Sequence, residues 1–321
     1  MNSVVVPEFG GPEAYRHIET STPSPASGQV LVDVGLSGVN YLDVAQRSGG
    51  TPLRAPFAAG VEGLGTVAAL GAGVEGFEVG QRVGWFTGGQ GSFSDFAAVE
   101  SSKLVHIPDS IEDDIAVAAL MQGVTAQYLT TDTHPVGQND VVLMHAAAGG
   151  VGQMLTQIAK IKGATVIGTV STEDKAQIAK RNGVDHVVDY RDVAEKLKEL
   201  TDGAGASVVY DGVGATTFSD SLKALRVRGT LAVIGNASGP IPPVDINTLN
   251  AGGSLYLTRP TIVHHVRSPE ELATRADEVF SWISAGDINV SIGAKYPLSR
   301  LSDAFEALEA RRTTGKIILE H

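Results

Sequence analysis

The residues whose spacing carries the most chemistry are Ala146-Ala147-Ala148-Gly149-Gly150-Val151-Gly152. They lie between an apolar run, Val141-Val142-Leu143-Met144-His145-Ala146, and a stretch that sets Leu155, Ile158 and Ala159 on one helical face. Strand, glycine turn and helix in that order form a phosphate cradle: the bare turn lets backbone approach, and the helix's first amides and dipole face the anion. Gly149 and Gly152 hold the second and third glycine positions of a G-x-G-x-x-G pattern, with Ala147 at the first. Gly149 would admit a pyrophosphate, and Gly152 would let the helix pack on the strand. The plainer reading, a tight turn with no ligand, is weakened by five further strands in the right alternation. Residues 165–170 form the next apolar run, and Ser171 follows where NAD binders carry Asp or Glu for the ribose 2′-hydroxyl. No carboxylate stands at 171 to repel a 2′-phosphate, Lys175 lies one helical turn on, and Tyr190 after the third strand can offer a hydroxyl. Despite Glu173 and Asp174 nearby, this favours NADPH over NADH.

The elements that must position this turn alternate along residues 125–260. Apolar runs at 141–146, 165–170, 186–189, 207–211, 230–235 and 254–257 are separated by helical stretches, and the first is apolar throughout, as a strand buried on both faces requires. That alternation predicts right-handed βαβ units and a parallel doubly wound sheet. The first 120 residues differ. Short β-rich runs at 29–34, 65–69, 82–85, 94–99 and 103–106, broken by glycine and proline, predict an antiparallel, partly open barrel. Helices are expected at 269–285 and 302–310, and a terminal strand, Lys316-Ile317-Ile318-Leu319, is expected to rejoin the N-terminal β region because it cannot bury its faces alone. The expected fold class is α/β, with domains at 1–121 (completed by 263–321) and 122–262. Glu112-Asp113-Asp114 reads as a solvated helix start with Ser110 as N-cap.

Composition narrows the function. The 321 residues carry 24 Lys+Arg against 36 Asp+Glu, a net charge of −12, which argues against a nucleic-acid partner. There is no cysteine, so disulfides, thiolate nucleophiles and Cys-ligated zinc are excluded. No apolar run spans a membrane, the first residues do not read as a secretory signal, and a cytoplasmic location is expected. His264-His265 lack a third ligand in spacing, and no metal is expected. His145 reads as a packed core histidine.

The segment 139–152, followed by Gln157 and Lys160, resembles the quinone oxidoreductase (zeta-crystallin-type) family of the zinc-free medium-chain dehydrogenases/reductases. The likeness spans nearly the whole chain. Ser37-Gly38-Val39-Asn40-Tyr41-Leu42-Asp43 resembles the family's Asn-x-x-Asp segment, 60–67 and 76–83 resemble its β-domain turns, and 235–239 and 257–260 resemble its late cofactor loops. The resemblance implies a GroES-like catalytic domain, a Rossmann cofactor domain, a homodimer, and NADPH-dependent reduction of a quinone or electron-poor carbonyl between the domains. Carried over by residue, it implies that Asn40 and Asp43 line the cleft near the nicotinamide, with Thr125 beside it. Gly150 and Val151 would meet the pyrophosphate, and Ser171, Lys175 and Tyr190 the 2′-phosphate. Gly235, Asn236, Ser238, Thr258 and Arg259 would complete the groove. Two departures stand out: Val61 occupies the histidine slot of the zinc relatives' Gly-His-Glu, and Ala45 replaces an aromatic, for which the Tyr41 ring could substitute.

A quinone is already activated, so a hydride needs no metal to reach it. The protein stacks the rings, excludes water and offers a hydrogen bond to the developing quinol oxygen. Asn40, Tyr41 and Arg47 are the polar candidates for that bond, with a surface salt bridge the equal alternative for Arg47. Asp43 reads as a loop brace rather than a base. Two other readings stay open: an alkenal or enone reductase, and a non-catalytic NADPH-binding protein.

Overall fold

The computed structural model describes all residues from Met1 to His321 and divides into two compact units. One comprises Met1–Val124, Val266–Ser284 and Val290–His321; the other comprises Thr125–His265 and Ala285–Asn289.

In the first unit the strand Gln29–Val39 organises a seven-stranded sheet. Glu62–Leu70 runs antiparallel along one edge. The other edge is shared: residues 29–33 pair with Phe96–Glu100, and residues 36–39 pair with the terminal strand Lys316–Glu320. Two register shifts on the Glu62–Leu70 side, at Leu31/Val32 and Val34/Leu36, bend the strand as bulges do. Alternate Val30, Val32 and Val34 point inward with Val67, Val83 and Trp85 to form the barrel core. A smaller sheet adds Arg16–Glu19, Asn2–Val6 and Phe57–Ala58. The helix Asp113–Tyr128 is buried on all sides through Ala116–Leu120 and Val124–Ala126, except half-buried Thr125. It therefore carries no apolar stripe, and only its acidic start was legible in the sequence.

The second unit is a six-stranded sheet in spatial order His186–Val188, Thr165–Thr169, Val141–Met144, Ala206–Asp211, Leu225–Val233, Tyr256–Thr258, with every pair parallel. In chain order that is 3-2-1-4-5-6, the doubly wound arrangement, with its topological switch beside Val141–Met144. Leu143, Ile167, Val209 and Leu231 sit at its centre, fully buried or nearly so. No helix is long and apolar enough to cross a membrane.

Candidate functional site

The glycine turn leaves the first strand of the parallel sheet and enters the helix Gly150–Ile161. Gly149, extended at φ −76° and ψ 168°, is the N-cap, and no side chain caps the helix. The first amides are thus left facing outward, as an anion needs. The turn closes on itself through Gly149 N donating to Ala146 O at 2.8 Å, and it is tied to the neighbouring strand by Ala147 N donating to Thr169 O at 3.1 Å. A Cβ on Gly152 would lie 2.5 Å from Ala146 O and 2.9 Å from Ala147 Cα, both backbone atoms that cannot move aside. At Gly149 the only near atom would be Ala146 O at 3.2 Å. Gly152 is therefore bare for packing, and Gly149 keeps its open face clear.

Tyr190 accepts a hydrogen bond from Ala146 N at 3.0 Å, and its ring stacks on His145 at 5.7 Å. His145 is fully buried, as expected of a core histidine. Ser221 spends its proton on Asp211 at 2.7 Å, so it accepts from His145 Nε2 at 3.0 Å, and Thr169 donates to Nδ1 at 2.9 Å. Burial holds the imidazole below its ordinary pKa and hence neutral, in the tautomer those partners require. The turn thus rests on a buried polar chain.

Ser171 is exposed beyond Thr165–Thr169, and Thr172 caps the helix Glu173–Arg181 by accepting from the Lys175 backbone at 3.3 Å. Gly235, Asn236, Thr258 and Arg259 come together around a 390 Å³ cavity with Phe218 and Leu257. Arg259 donates to Val233 O at 3.1 Å. Ser238 is not on that wall: it donates to Val213 O at 2.8 Å and accepts from Thr216 N at 3.1 Å, bracing its own loop. Thr125 stands half-buried near the end of Asp113–Tyr128.

In the first unit the Asn-x-x-Asp segment opens a short helix, Tyr41–Arg47. Asp43 folds back to accept from Asn40 N at 2.9 Å. The Asn40 side chain faces the Asp43 amide as the other half of a capping box, and it donates to Gly38 O at 3.2 Å and Glu62 Oε2 at 2.9 Å while accepting from Lys316 Nζ at 2.8 Å. Lys316 also pairs with Glu62, both fully buried, and Glu62 Oε1 takes the Met121 amide at 2.9 Å. Strand register explains the meeting: Ile317 lies opposite Val39 and Glu62 opposite Gly38. A Cβ on Gly38 would overlap the Glu62 carboxylate and lie 2.7 Å from Lys316 Cε, so only glycine leaves the pair its space.

Two candidates take positions the sequence did not indicate. Tyr41, with its ring exposed, donates its hydroxyl to Leu308 O at 3.0 Å. Arg47 is neither at the surface nor open to a ligand: it is 2% exposed, paired with Glu309 at 2.9 Å, bonded to Gly10 O at 3.2 Å, and packed over Tyr15 and Phe305. Sequence reading missed Glu62 and Lys316 as partners. Their one local signal is a charged residue inside an otherwise apolar strand or glycine turn, which demands a partner.

Burial pushes Asp43 up to about 7, against the pull of the Asn40 amide and the Lys316 charge, with Glu62 adding to the rise. From roughly pH 4 to 7 the fold holds a proton that the unfolded chain has released, so this group's contribution to stability is lost as the pH rises through that window. Asp43→Asn is expected to remove that slope. Its stability relative to wild type, read from urea midpoints, should rise by at least ~1.4 kcal/mol between pH 4.5 and 7.5. Parallel pH curves for the two proteins would show an ionised Asp43 instead.

A GroES-like barrel in one unit and a Rossmann sheet with a glycine cradle in the other define a dehydrogenase/reductase of the medium-chain class. Residues 26–109 match the alcohol dehydrogenase GroES-like domain, and residues 150–281 match the zinc-binding dehydrogenase domain. A quinone oxidoreductase of Pseudomonas aeruginosa is 41% identical over 97% of each chain, and a 2-haloacrylate reductase of a Burkholderia species is 38% identical over 99% of this chain and 98% of its own. The structure of a mycobacterial protein complexed with NADPH superposes with a TM-score of 0.97 at 44% identity, covering 100% of both chains. The chain belongs to the quinone oxidoreductase family of the medium-chain dehydrogenase/reductase superfamily.

Proposed function

We propose that the protein is a cytoplasmic, homodimeric NADPH-dependent quinone reductase. The observation that carries this reading is the uncapped helix N-terminus behind Gly149, packed onto its strand through Gly152, with no carboxylate at Ser171. Those residues fit a phosphorylated dinucleotide, and the mycobacterial relative was solved with NADPH. Gly149, Gly150, Val151 and Gly152 would hold the pyrophosphate; Ser171, Lys175 and Tyr190 the 2′-phosphate; and Thr125, Gly235, Asn236, Thr258 and Arg259 the nicotinamide half, with Ser238 shaping its loop. Bound there, NADPH supplies a hydride. Asn40 and the Tyr41 ring contribute from the catalytic unit, which Asp43 and Arg47 brace from within. The outermost strand, Tyr256–Thr258, leaves Tyr256 61% exposed, an edge suited to a second copy. Sedimentation at about twice 33.3 kDa is the expected result, and a monomer would refute it.

The test is NADPH consumption with a benzoquinone, compared with NADH and with 2-alkenals. A preference for the alkenals would favour enone reduction, the reading that the 2-haloacrylate reductase relative supports. Tight NADPH binding without turnover of either acceptor would leave a binding protein only. Ser171→Asp is expected to lower kcat/KM for NADPH roughly a hundredfold by like-charge repulsion while sparing NADH. An unchanged cofactor ratio would remove Ser171 from the 2′-phosphate site.

A further inference from the structure

The Glu62–Lys316 pair is fully buried, and its Oε2 and Nζ are both tied to Asn40. A buried ion pair is weak evidence for stability, because desolvation offsets most of the attraction and apolar residues of equal volume often serve as well. Its placement against Asn40 accounts for it better. Lysine can only donate, and the carboxylate of the pair can only accept. Lys316 must therefore face the Asn40 oxygen and Glu62 the nitrogen, so the amide cannot flip. Both Nδ2 hydrogens are used, one on Glu62 at 2.9 Å and one on Gly38 O at 3.2 Å. With both hydrogens spent Asn40 has no donor left, and its Oδ1, which faces Lys316 Nζ and the Asp43 amide of the capping box, can only accept.

We propose that Lys316 and Glu62 are positioning residues that lock the Asn40 amide in one orientation and make it an acceptor. Asn40 then holds a hydrogen-bond donor of its ligand rather than donating to the reducible oxygen. The inference rests on the proposed placement of Asn40 at the reacting groups. It departs from the reading of Asn40 as a donor to the quinol oxygen.

The test is a double-mutant cycle on the full chain with saturating NADPH and varied benzoquinone. Glu62→Leu/Lys316→Met removes both charges together, so no lone buried charge is left to unfold the protein. Its kcat is expected to fall about tenfold or more, as for other residues that orient a reacting group from behind. NADPH Kd and quinone KM should stay within about threefold. Glu62→Gln/Lys316→Met, in which the glutamine oxygen can still accept from Asn40 Nδ2, should recover part of kcat. Adding Asn40→Ala to the Leu/Met variant should cost little more, since all three act as one unit. Wild-type kcat in a folded Leu/Met variant, or fully additive losses with Asn40→Ala, would overturn the proposal while leaving the reading of Asn40 intact. Wild-type kcat in Asn40→Ala alone would overturn that reading, and the positioning role with it.

Discussion

Gly152→Ala is expected to raise the Kd for NADPH by at least ~tenfold, and to lower stability by ~1–3 kcal/mol. The added methyl meets the Ala146 carbonyl oxygen at 2.5 Å and Ala147 Cα at 2.9 Å. Both belong to the turn proposed to cradle the pyrophosphate, and the turn is pinned by Thr169 O on the next strand and by Tyr190 on Ala146 N. Either the helix lifts from the strand or the turn shifts; both move the amides that face the phosphate. Gly149→Ala separates the two effects. Its methyl would touch only Ala146 O, at 3.2 Å, so the fold should survive while the methyl enters the proposed phosphate's space. Fluorescence titration with NADPH and a thermal melt of each variant are the measurements. A Gly152→Ala protein that binds NADPH within threefold of wild type would remove the cradle from the account.

Lys316→Met alone should be strongly destabilising, costing ~3–5 kcal/mol, because it strands the Glu62 carboxylate in the core. At about 2–4 °C per kcal/mol, the melting temperature should fall on the order of 10 °C. Asn40 and the Met121 amide still bond that carboxylate, but neither neutralises it. Glu62→Leu/Lys316→Met should regain most of the stability, which makes it the proper vehicle for the activity test. If the single and double variants melted together, the pair would not be an ion pair held in the dry interior.

How much was legible varies by element. The parallel strands and the glycine turn were readable from local pattern: the central strands, buried on both faces, are apolar throughout, the edge strands follow by alternation with helices, and a turn that must approach a ligand or a strand closely needs glycine. The helix Asp113–Tyr128 was not, because burial all round erases the 3.6-residue stripe. Ile292–Pro297 was missed for a related reason: as an edge strand it is only half buried on alternate residues, with no apolar run to mark it. Arg47 was ambiguous, since its burial depends on Tyr15, Phe305 and Glu309, which arrive from distant segments.

By itself, then, the amino-acid order determined a parallel nucleotide-type sheet, the bare turn at 149–152, the missing acid at 171 and a chemistry without thiolates. Each depends on neighbours a few residues apart, where spacing is enough. Only the tertiary structure decided which hydrogen-bonding groups remain available. Lys316 reaches Asn40 across 276 residues and Glu62 across 254, through the register of three strands and the space left by Gly38. A buried charge announces in sequence that it needs a partner; which partner, and what that partner can no longer do, depends on contacts that exist only after the chain has closed.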